Sequence, residues 1–294
     1  MVSHKDVVVD QARDVDTLSE LINLDSYPLH EPDSTAYREC VARIRTQLAE
    51  DGCAHFAKFI RSDKVEQLRI ESEALAPQAH YHSNQVNPYA TEDDASYPED
   101  HPVRRFQSFS NGFVAKDLIG EESLVQRLYR NKIFQTFIAD CLEENKIYEY
   151  ADPIAGLVIN VMPENTTLPW HFDTNEFIVS LMTRRPEQGG DFEYCPNIRT
   201  PGNENFEEVK EVLDGDHRKV KSLTLNTGDL QLFKGRYSMH RVAPAKGQRL
   251  CTLLGYAKEP GMIGRVKRTK DVYGRVTQAH IDAEKDRRND ELVG

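Results

Sequence analysis

The amino-acid sequence predicts a mainly β protein (α+β class), with a helical buttress in its first half and an antiparallel sandwich or jelly roll in its second half. Two observations support this prediction. Apolar residues recur at helical spacing in several segments of the first half. The second half then consists of short β-rich segments separated by turn signals, with few helices between them. The length of 294 residues allows one large domain or two small ones.

Three helices are predicted in the first half. The first begins after an N-cap at Ser34 and ends at Gly52, and a short strand follows over residues 53–60. The second helix is expected to be capped near Ser62, and the third to cover residues 124–142. Four apolar residues share one face of the first helix: Tyr37, Val41, Ile44 and Leu48.

A long polar segment separates the second and third helices. Residues 78–103 are rich in turn formers and show no periodicity. A loop of this length in a compact domain is usually a lid, a binding loop or a disordered excursion. Immediately after it, Arg104 and Arg105 could reach a substrate carboxylate, and a solvated pair at a sheet edge is the alternative.

The strands of the second half are predicted from alternating or continuous apolar runs bounded by Gly, Pro and Asn. A single insertion, ENFEEVKEVLDG, has helical character, and the tail after Arg275 is expected to be a polar helix or a frayed end. The predicted strand segments are IAGLVINVM, WHFDTNEFIVSLMT, GGDFEYCPNI, VKSLTLNTGDLQLF, YSMHRV and RLCTLLGYA.

Composition excludes several classes of protein. A net charge of −11 opposes nucleic-acid binding, which depends on neutralising phosphates. The sequence has no apolar run long enough for a transmembrane helix and no secretory signal at its start. Its five cysteines are widely spaced and form no CxxC pair, so we expect reduced thiols in a cytoplasmic protein.

One segment, PWHFDTNEF, places two polar groups among aromatic residues. If this segment is a strand, His171 and Asp173 point to the same face, with Cα atoms roughly 6.6 Å apart. Burying an unpaired imidazole and carboxylate is costly, whereas a divalent cation would bind both groups. The pattern therefore predicts a metal site. The flanking Thr174 and Asn175 are candidates for substrate contacts or for hydrogen bonds at the strand end.

A third ligand is expected from His240, in the segment GRYSMHRVAP. Two histidines and one carboxylate on one face of the metal form the facial triad of non-haem Fe(II) oxygenases, which leaves open coordination positions. Arg249 follows His240 by nine residues, and the turn at 244–247 is expected to return it to the strand beside His240. Its guanidinium is suited to bind a carboxylate in bidentate fashion.

The pattern His171-x-Asp173, His240 and Arg249 resembles that of the Fe(II)- and 2-oxoglutarate-dependent oxygenases. The resemblance covers about residues 150–260 and implies a double-stranded β-helix (jelly roll, cupin-like) core. It implies that the two histidines and the aspartate bind Fe(II), and that Arg249 binds the distal carboxylate of the co-substrate 2-oxoglutarate. The segments GGDFEYCPNIR, GDLQLFKGRYSMHRV and EPGMIGR are most similar to the subfamily of free-amino-acid radical halogenases and their hydroxylase relatives.

Two positions bear on the chemistry that this resemblance implies. In the halogenases a glycine replaces the carboxylate and leaves room for chloride, so Asp173 indicates hydroxylation. Many members of the family have Ser or Thr two residues after the arginine, where it helps to hold the same carboxylate. This chain has Cys251 there, which leaves the second 2-oxoglutarate contact open.

We therefore expect residues 1–294 to form a single cytoplasmic oxygenase domain that uses Fe(II), 2-oxoglutarate and O2. The resemblance implies hydroxylation of an unactivated C–H bond in a small molecule, a free amino acid being the favoured substrate class. A zinc hydrolase with the same ligands and a non-catalytic iron or 2-oxoglutarate sensor are the alternatives. No nucleic-acid or membrane partner is expected, and the sequence is silent on oligomeric state.

Overall fold

The structure is a computed structural model that describes residues 4–287. Its α-helices are α1 (His4–Leu21), α2 (Thr35–Asp51), α3 (Val65–Leu75), α4 (Leu124–Arg130), α5 (Lys132–Leu142), α6 (Phe206–Leu213), α7 (Val266–Tyr273) and α8 (Gln278–Arg287). Short 3-10 helices cover Ala76–Gln78, Pro102–Arg104 and Lys116–Leu118.

The strands of the described residues are two to seven residues long. They are β1 (Cys53–Phe56), β2 (His80–Tyr81), β3 (Asn84–Val86), β4 (Gln107–Phe109), β5 (Gly112–Val114), β6 (Tyr148–Glu149), β7 (Leu157–Met162), β8 (Leu168–His171) and β9 (Ile178–Arg184). They continue with β10 (Gln188–Gly189), β11 (Phe192–Cys195), β12 (Lys221–Leu223), β13 (Leu230–Phe233), β14 (Met239–Val242), β15 (Ala245–Lys246), β16 (Arg249–Leu254) and β17 (Tyr256–Ala257).

Two antiparallel sheets form the core. The large sheet has seven strands in the order β1-β13-β9-β16-β7-β5-β2, and the small sheet has four in the order β12-β11-β14-β8. Apolar side chains from both sheets, including Met162 and Phe233 of the large sheet and Phe192 and Val242 of the small one, pack together between them. This arrangement confirms the predicted mainly β fold with a jelly-roll core.

Helices α1 to α5 cover the outer face of the large sheet and so form the predicted buttress, whereas α6 packs against the small sheet. Leu181 and Leu232 on that face share one buried cluster with Ile44 of α2 and Phe137 of α5. The local signals for α2 are confirmed, because Ser34 accepts a hydrogen bond from the Tyr37 N–H and Gly52 ends the helix at φ 63°.

Two helix predictions were wrong in detail. The second helix begins at Val65, and its N-cap residue is Lys64, which makes no side-chain capping bond, so Ser62 is not the cap. The segment 124–142 is two helices, because Asn131 lies between them and its side chain accepts the Phe134 N–H, which starts α5 in a new direction.

The predicted helix in the insertion and the helix in the tail are present as α6 and α8. All five cysteines are free thiols, as the sequence led us to expect, and the structure shows that all five are buried. In the described part of the chain, no helix is both long and apolar enough to cross a membrane. The residues between α3 and β4 form only short elements, which fits the predicted long loop.

Candidate metal centre

The structure brings His171, Asp173 and His240 together inside the small sheet. His171 on β8 and His240 on β14 are directly paired across the two strands, so both side chains point to the same face. The Asp173 Oδ1 atom lies 3.8 Å from His171 Nε2, and its Oδ2 atom lies 3.6 Å from His240 Nε2. One ligand atom from each residue fits within 4.8 Å of the others, which is the spacing of a three-ligand metal site.

Asp173 reaches this position by a route that the strand model did not predict. Strand β8 ends at His171, so the carboxylate is not placed by alternation along a strand. The next residues leave the ladder, since the Phe172 N–H donates to Pro88 O and the Asp173 N–H donates to Gly235 O. His171 and Asp173 do point to a common site, as predicted, but strand alternation is not the cause. A loop that folds against Gly235 turns the carboxylate towards the histidines.

Gly235 makes room for that carboxylate. A Cβ atom at this position would lie 1.9 Å from Asp173 Oδ2 and 2.6 Å from Asp173 Cγ. Gly235 is not among the glycines with positive φ. The close approach of the Asp173 carboxylate, and not the backbone conformation, therefore explains why this position is a glycine. Sequence reasoning missed this residue because nothing in the segment KGRYS indicates which side chain approaches it.

The two imidazoles are oriented for metal binding. His171 Nδ1 lies 2.8 Å from Pro169 O and His240 Nδ1 lies 3.0 Å from Ser238 O. A carbonyl can only accept, so each Nδ1 is the protonated nitrogen and each Nε2 presents its lone pair to the centre. Burial, with a smaller contribution from His171, lowers the pKa of His240 to about 4, which keeps the ring neutral at pH 7.

One oxygen of Asp173 has no hydrogen-bond partner. The Oδ2 atom is buried, and no described residue donates to it. A buried carboxylate oxygen without a partner is destabilising, and a divalent cation between the three side chains would remove this cost. Two neutral imidazoles and one carboxylate suit Fe(II) as well as Zn(II), so the described residues fit a metal ion of this class.

Arg249 lies across the interior from the histidines, on the large sheet. The predicted hairpin is wrong, because β15 pairs with β10 and the chain then crosses to the large sheet, where β16 lies between β7 and β9. Arg249 is 3% exposed, and its Nε donates to Gly190 O at 3.2 Å. Among the residues that the structure describes, no carboxylate lies within ion-pair distance of its guanidinium, although Asp191 acts on it at longer range.

A buried guanidinium without an anion implies that a ligand supplies the charge. Burial lowers the pKa of Arg249, yet an arginine stays protonated in proteins. The cost of burying this cation is offset when a carboxylate binds it in bidentate geometry. Arg249 therefore fits the anchor of an acidic co-substrate that also reaches the metal centre.

The candidate substrate residues separate into two pairs. Arg104 forms an ion pair with Asp93 at 3.0 Å, and Arg105 forms one with Asp214 at 2.6 Å. Both guanidinium groups thus already have carboxylate partners, and the structure does not bring either one to the triad.

Thr174 and Asn175, in contrast, directly follow Asp173, the candidate metal ligand. The Thr174 hydroxyl accepts a hydrogen bond from Arg268 Nη1 at 3.0 Å, and Asn175 hydrogen bonds to the phenol of Tyr150. Burial, with a smaller contribution from the nearby Asp173, raises the pKa of Tyr150 to about 12. Sequence reasoning missed Arg268 and Tyr150, which lie far from the motif in the chain and belong to no recognisable pattern.

Comparison with known proteins identifies relatives of this arrangement. The family described as "HalD: Halogenase D" matches residues 36–271. No curated protein sequence matches the chain.

Solved structures with a similar fold include the non-heme alpha ketoglutarate dependent carbocyclase SnoK from nogalamycin biosynthesis, with a TM-score of 0.50 and 11% identity over 73% of this chain and 82% of that one. A 2OG-Fe(II) oxygenase family protein from Burkholderia pseudomallei has a TM-score of 0.49 and 14% identity over 76% and 92% of the two chains. A prolyl hydroxylase from Trichoplax adhaerens has a TM-score of 0.49 and 16% identity over 77% and 94%. At these identities, the likeness to the carbocyclase shows a shared fold.

Proposed function

This chain belongs to the halogenase D family, and from that membership we propose that it is an Fe(II)- and 2-oxoglutarate-dependent dioxygenase. We propose that it hydroxylates an unactivated C–H bond of a small metabolite, with a free amino acid as the favoured substrate class. The observation that supports this most strongly is the triad of His171, Asp173 and His240, in which the buried Asp173 Oδ2 atom lacks a partner. A single domain is supported by the apolar cluster that helices and the large sheet share.

Each residue of the centre has a defined role in this proposal. His171, Asp173 and His240 hold Fe(II), and Arg249 binds the distal carboxylate of 2-oxoglutarate. The bound metal and co-substrate supply the capacity to activate O2, with succinate and carbon dioxide as co-products. The protein fixes the open coordination positions, excludes water with its apolar interior and holds the target carbon close to the metal.

Hydroxylation is favoured over halogenation by Asp173. Its two carboxylate oxygens lie 3.8 and 3.6 Å from the Nε2 atoms of the two histidines, which supports Asp173 as the third ligand. In the free-amino-acid halogenases a glycine at this position leaves room for chloride. If the three side chains hold the metal and 2-oxoglutarate takes two further positions, one position would be left for O2 and none for a halide.

Two arginines beside the metal-binding loop support a carboxylate-bearing substrate. Arg268 donates to the Thr174 hydroxyl and Arg236 donates to the Thr174 carbonyl oxygen. Both are exposed, and neither is ion-paired within the described residues, although the chain has a net charge of −11. Unpaired guanidinium groups close to the centre favour an anionic group of the substrate, as in a free amino acid.

The proposal is tested by anaerobic reconstitution with Fe(II) and 2-oxoglutarate, followed by exposure to air and measurement of succinate. Candidate amino acids are then screened by mass spectrometry for the gain of one oxygen atom. We expect His171→Ala, Asp173→Ala and His240→Ala each to lose metal and turnover. Activity restored by Zn(II) and not by Fe(II) would support the hydrolase instead, and ligand binding without succinate would support the sensor.

The role of Asp173 is tested with the wild-type protein in concentrated chloride. Once a substrate is known, we expect only a hydroxylated product, because no coordination position is free for the halide. A chlorinated product from the wild type would contradict this role. The Asp173→Gly variant opens the position, but chlorination by it also requires surrounding residues that hold the halide, so the wild type decides.

A further inference from the structure

A row of inward-facing side chains crosses the large sheet beside Arg249. Cys251, Asn160 and Phe113 are directly paired residues on β16, β7 and β5, so their side chains share one face. Met162 lies two residues from Asn160 on the same face, and it packs in the apolar cluster between the two sheets. The row therefore faces the interior that also contains the metal centre.

This row contains polar groups that lack partners. Asn160 is 4% exposed, and no described residue hydrogen bonds to its Nδ2. Asn111 stands one residue before β5, is fully buried, and neither atom of its amide has a partner. Side-chain alternation along an extended chain gives Asn111 the same orientation as Phe113. A buried amide without a partner is destabilising, so a ligand that accepts from these donors would remove the cost.

The position of Cys251 indicates what that ligand is. Cys251 lies two residues after Arg249 on β16, on the same face and roughly 6.6 Å along the strand. This is where related oxygenases place the hydroxyl that helps to hold the distal carboxylate of 2-oxoglutarate. A thiol is a weak hydrogen-bond donor, so a carboxylate bound to Arg249 would lack its second donor here. Asn160 is the residue directly opposite Cys251.

We propose that the Asn160 amide donates to the distal carboxylate of 2-oxoglutarate in place of the missing hydroxyl, with Asn111 as the neighbouring polar group. The assignment rests on the proposed function, since it concerns the same co-substrate. It explains why an otherwise apolar strand, with the sequence LVINVM, contains one buried asparagine. Arg249 supplies the charge and Asn160 supplies a directional donor.

The test measures anaerobic binding of 2-oxoglutarate to the Fe(II) protein by the charge-transfer absorption of the complex. Asn160→Leu keeps the side-chain size and removes the donor. We expect 2-oxoglutarate to bind on the order of 10- to 100-fold more weakly, as is typical for loss of a hydrogen bond to a charged group. Binding of 2-oxovalerate, which lacks the distal carboxylate, and the iron content should both stay unchanged.

A rescue variant separates recognition from a structural role. Adding Cys251→Ser to Asn160→Leu restores a hydroxyl beside Arg249 and should recover most of the lost affinity. The matched control is Thr252→Val, since Thr252 is buried on the opposite face of the same strand with an unpartnered hydroxyl, and it should bind 2-oxoglutarate normally. Melting temperatures of the metal-free variants, expected to equal or exceed the wild-type value, confirm that each one folds.

Three results would overturn this assignment. Unchanged 2-oxoglutarate affinity in Asn160→Leu would show that its amide makes no contact. Equal weakening of 2-oxoglutarate and 2-oxovalerate would place Asn160 away from the distal carboxylate, and so would a failed rescue by Cys251→Ser. If the wild type binds iron but no 2-oxoglutarate, the proposed function fails as well. Failure of the Asn160 assignment alone would leave 2-oxoglutarate binding by the wild type intact.

Discussion

Gly235→Ala adds a single methyl group beside the metal centre without touching a ligand residue. The backbone at Gly235 does not have positive φ, so alanine can adopt its conformation. The new Cβ atom would lie 1.9 Å from Asp173 Oδ2, whereas ordinary contacts begin at 3.4 Å. The carboxylate oxygen must therefore move by about 1.5 Å, the difference between these two distances.

A movement of this size is incompatible with metal coordination by Asp173. Metal–ligand distances vary by only about 0.2 Å around their preferred values, so the displaced oxygen leaves the coordination sphere. The backbone bond from the Asp173 N–H to Gly235 O prevents the loop from relaxing as a whole. We expect the affinity for metal to fall by more than the roughly 10- to 100-fold that follows loss of a partner outside the coordination sphere.

The assay is an anaerobic Co(II) titration followed by visible absorption, with thermal unfolding as the check on folding. Gly120→Ala is the matched control, because nothing lies within 4 Å of a Cβ at that position and its φ is not positive. Gly235→Ala is also introduced into Asp173→Gly, where no carboxylate remains to be displaced. The two changes should then not add, so the double variant binds metal as weakly as Asp173→Gly alone.

Two outcomes would refute this reasoning. If Gly235→Ala binds Co(II) with wild-type affinity, the Asp173 carboxylate is not a ligand in the position that the structure gives it. If Gly235→Ala weakens binding further in the Asp173→Gly background, the methyl group acts through another part of the site. Partial loss in the single variant with no effect in the double variant supports the coordination role of Asp173.

The remaining predictions concern Arg249, His240 and an ion-paired carboxylate far from the site. Arg249→Ala should weaken 2-oxoglutarate binding by about 2–5 kcal/mol while iron stays bound, as measured by anaerobic titration, and unchanged 2-oxoglutarate dependence would move the anchor elsewhere. His240→Gln should lower metal stoichiometry by elemental analysis, because a neutral imidazole lone pair is lost, and full occupancy would exclude His240 as a ligand. Hydrogen bonds from Arg127 and then Lys64 lower the pKa of Glu20 to about 2, below its ordinary 4.5. Its stabilising contribution is therefore present above pH 4.5 and is lost as the pH falls towards 2, so Glu20→Gln should flatten acid unfolding in that window, and an unchanged profile would contradict the pairing.

Local signals in the sequence predicted those features that depend on neighbouring residues. The caps of α2 at Ser34 and Gly52 are hydrogen bonds within a few positions of each other, and a short motif specifies them. The candidate metal ligands His171 and Asp173 were selected because two polar groups in an apolar segment need a common partner. Their spatial proximity to His240 is a consequence of the paired strands β8 and β14.

Features that depend on distant parts of the chain could not be predicted in this way. The strand that contains His171 ends there because its next two N–H groups bond to Pro88 and Gly235, which are remote in sequence. Arg249 crosses to the large sheet because β15 finds a partner in β10, and a hairpin assignment from turn residues cannot anticipate that choice. The break at Asn131 was visible in principle, since asparagine is a preferred N-cap.

Asn160 shows that a sequence signal can be present and still need the structure for its interpretation. A single asparagine within the apolar run LVINVM is unusual, because a central strand buried on both faces favours apolar side chains. The sequence alone cannot say which face of the strand Asn160 occupies. On the face towards the helices its buried amide would only destabilise the protein, whereas on the inner face it can contact a ligand. The register places it opposite Cys251, on the face of Met162, while Thr252 and Ile159 point to the helices.

Asp173, Asn160 and Asn111 all lack partners for buried polar atoms, and all lie on the inner side of the jelly roll. Arg249 adds a buried cation without an anion on the same side. Each of these groups destabilises the ligand-free protein, so metal and co-substrate should stabilise it against unfolding in proportion to their binding. In this assignment iron binds Asp173, and 2-oxoglutarate binds Arg249 and Asn160. The rise in melting temperature with 2-oxoglutarate should therefore shrink in Asn160→Leu, while the rise with metal alone persists. An equal loss of both shifts would mean that the polar interior is one inseparable network, and that the separate roles assigned to its two sides are wrong.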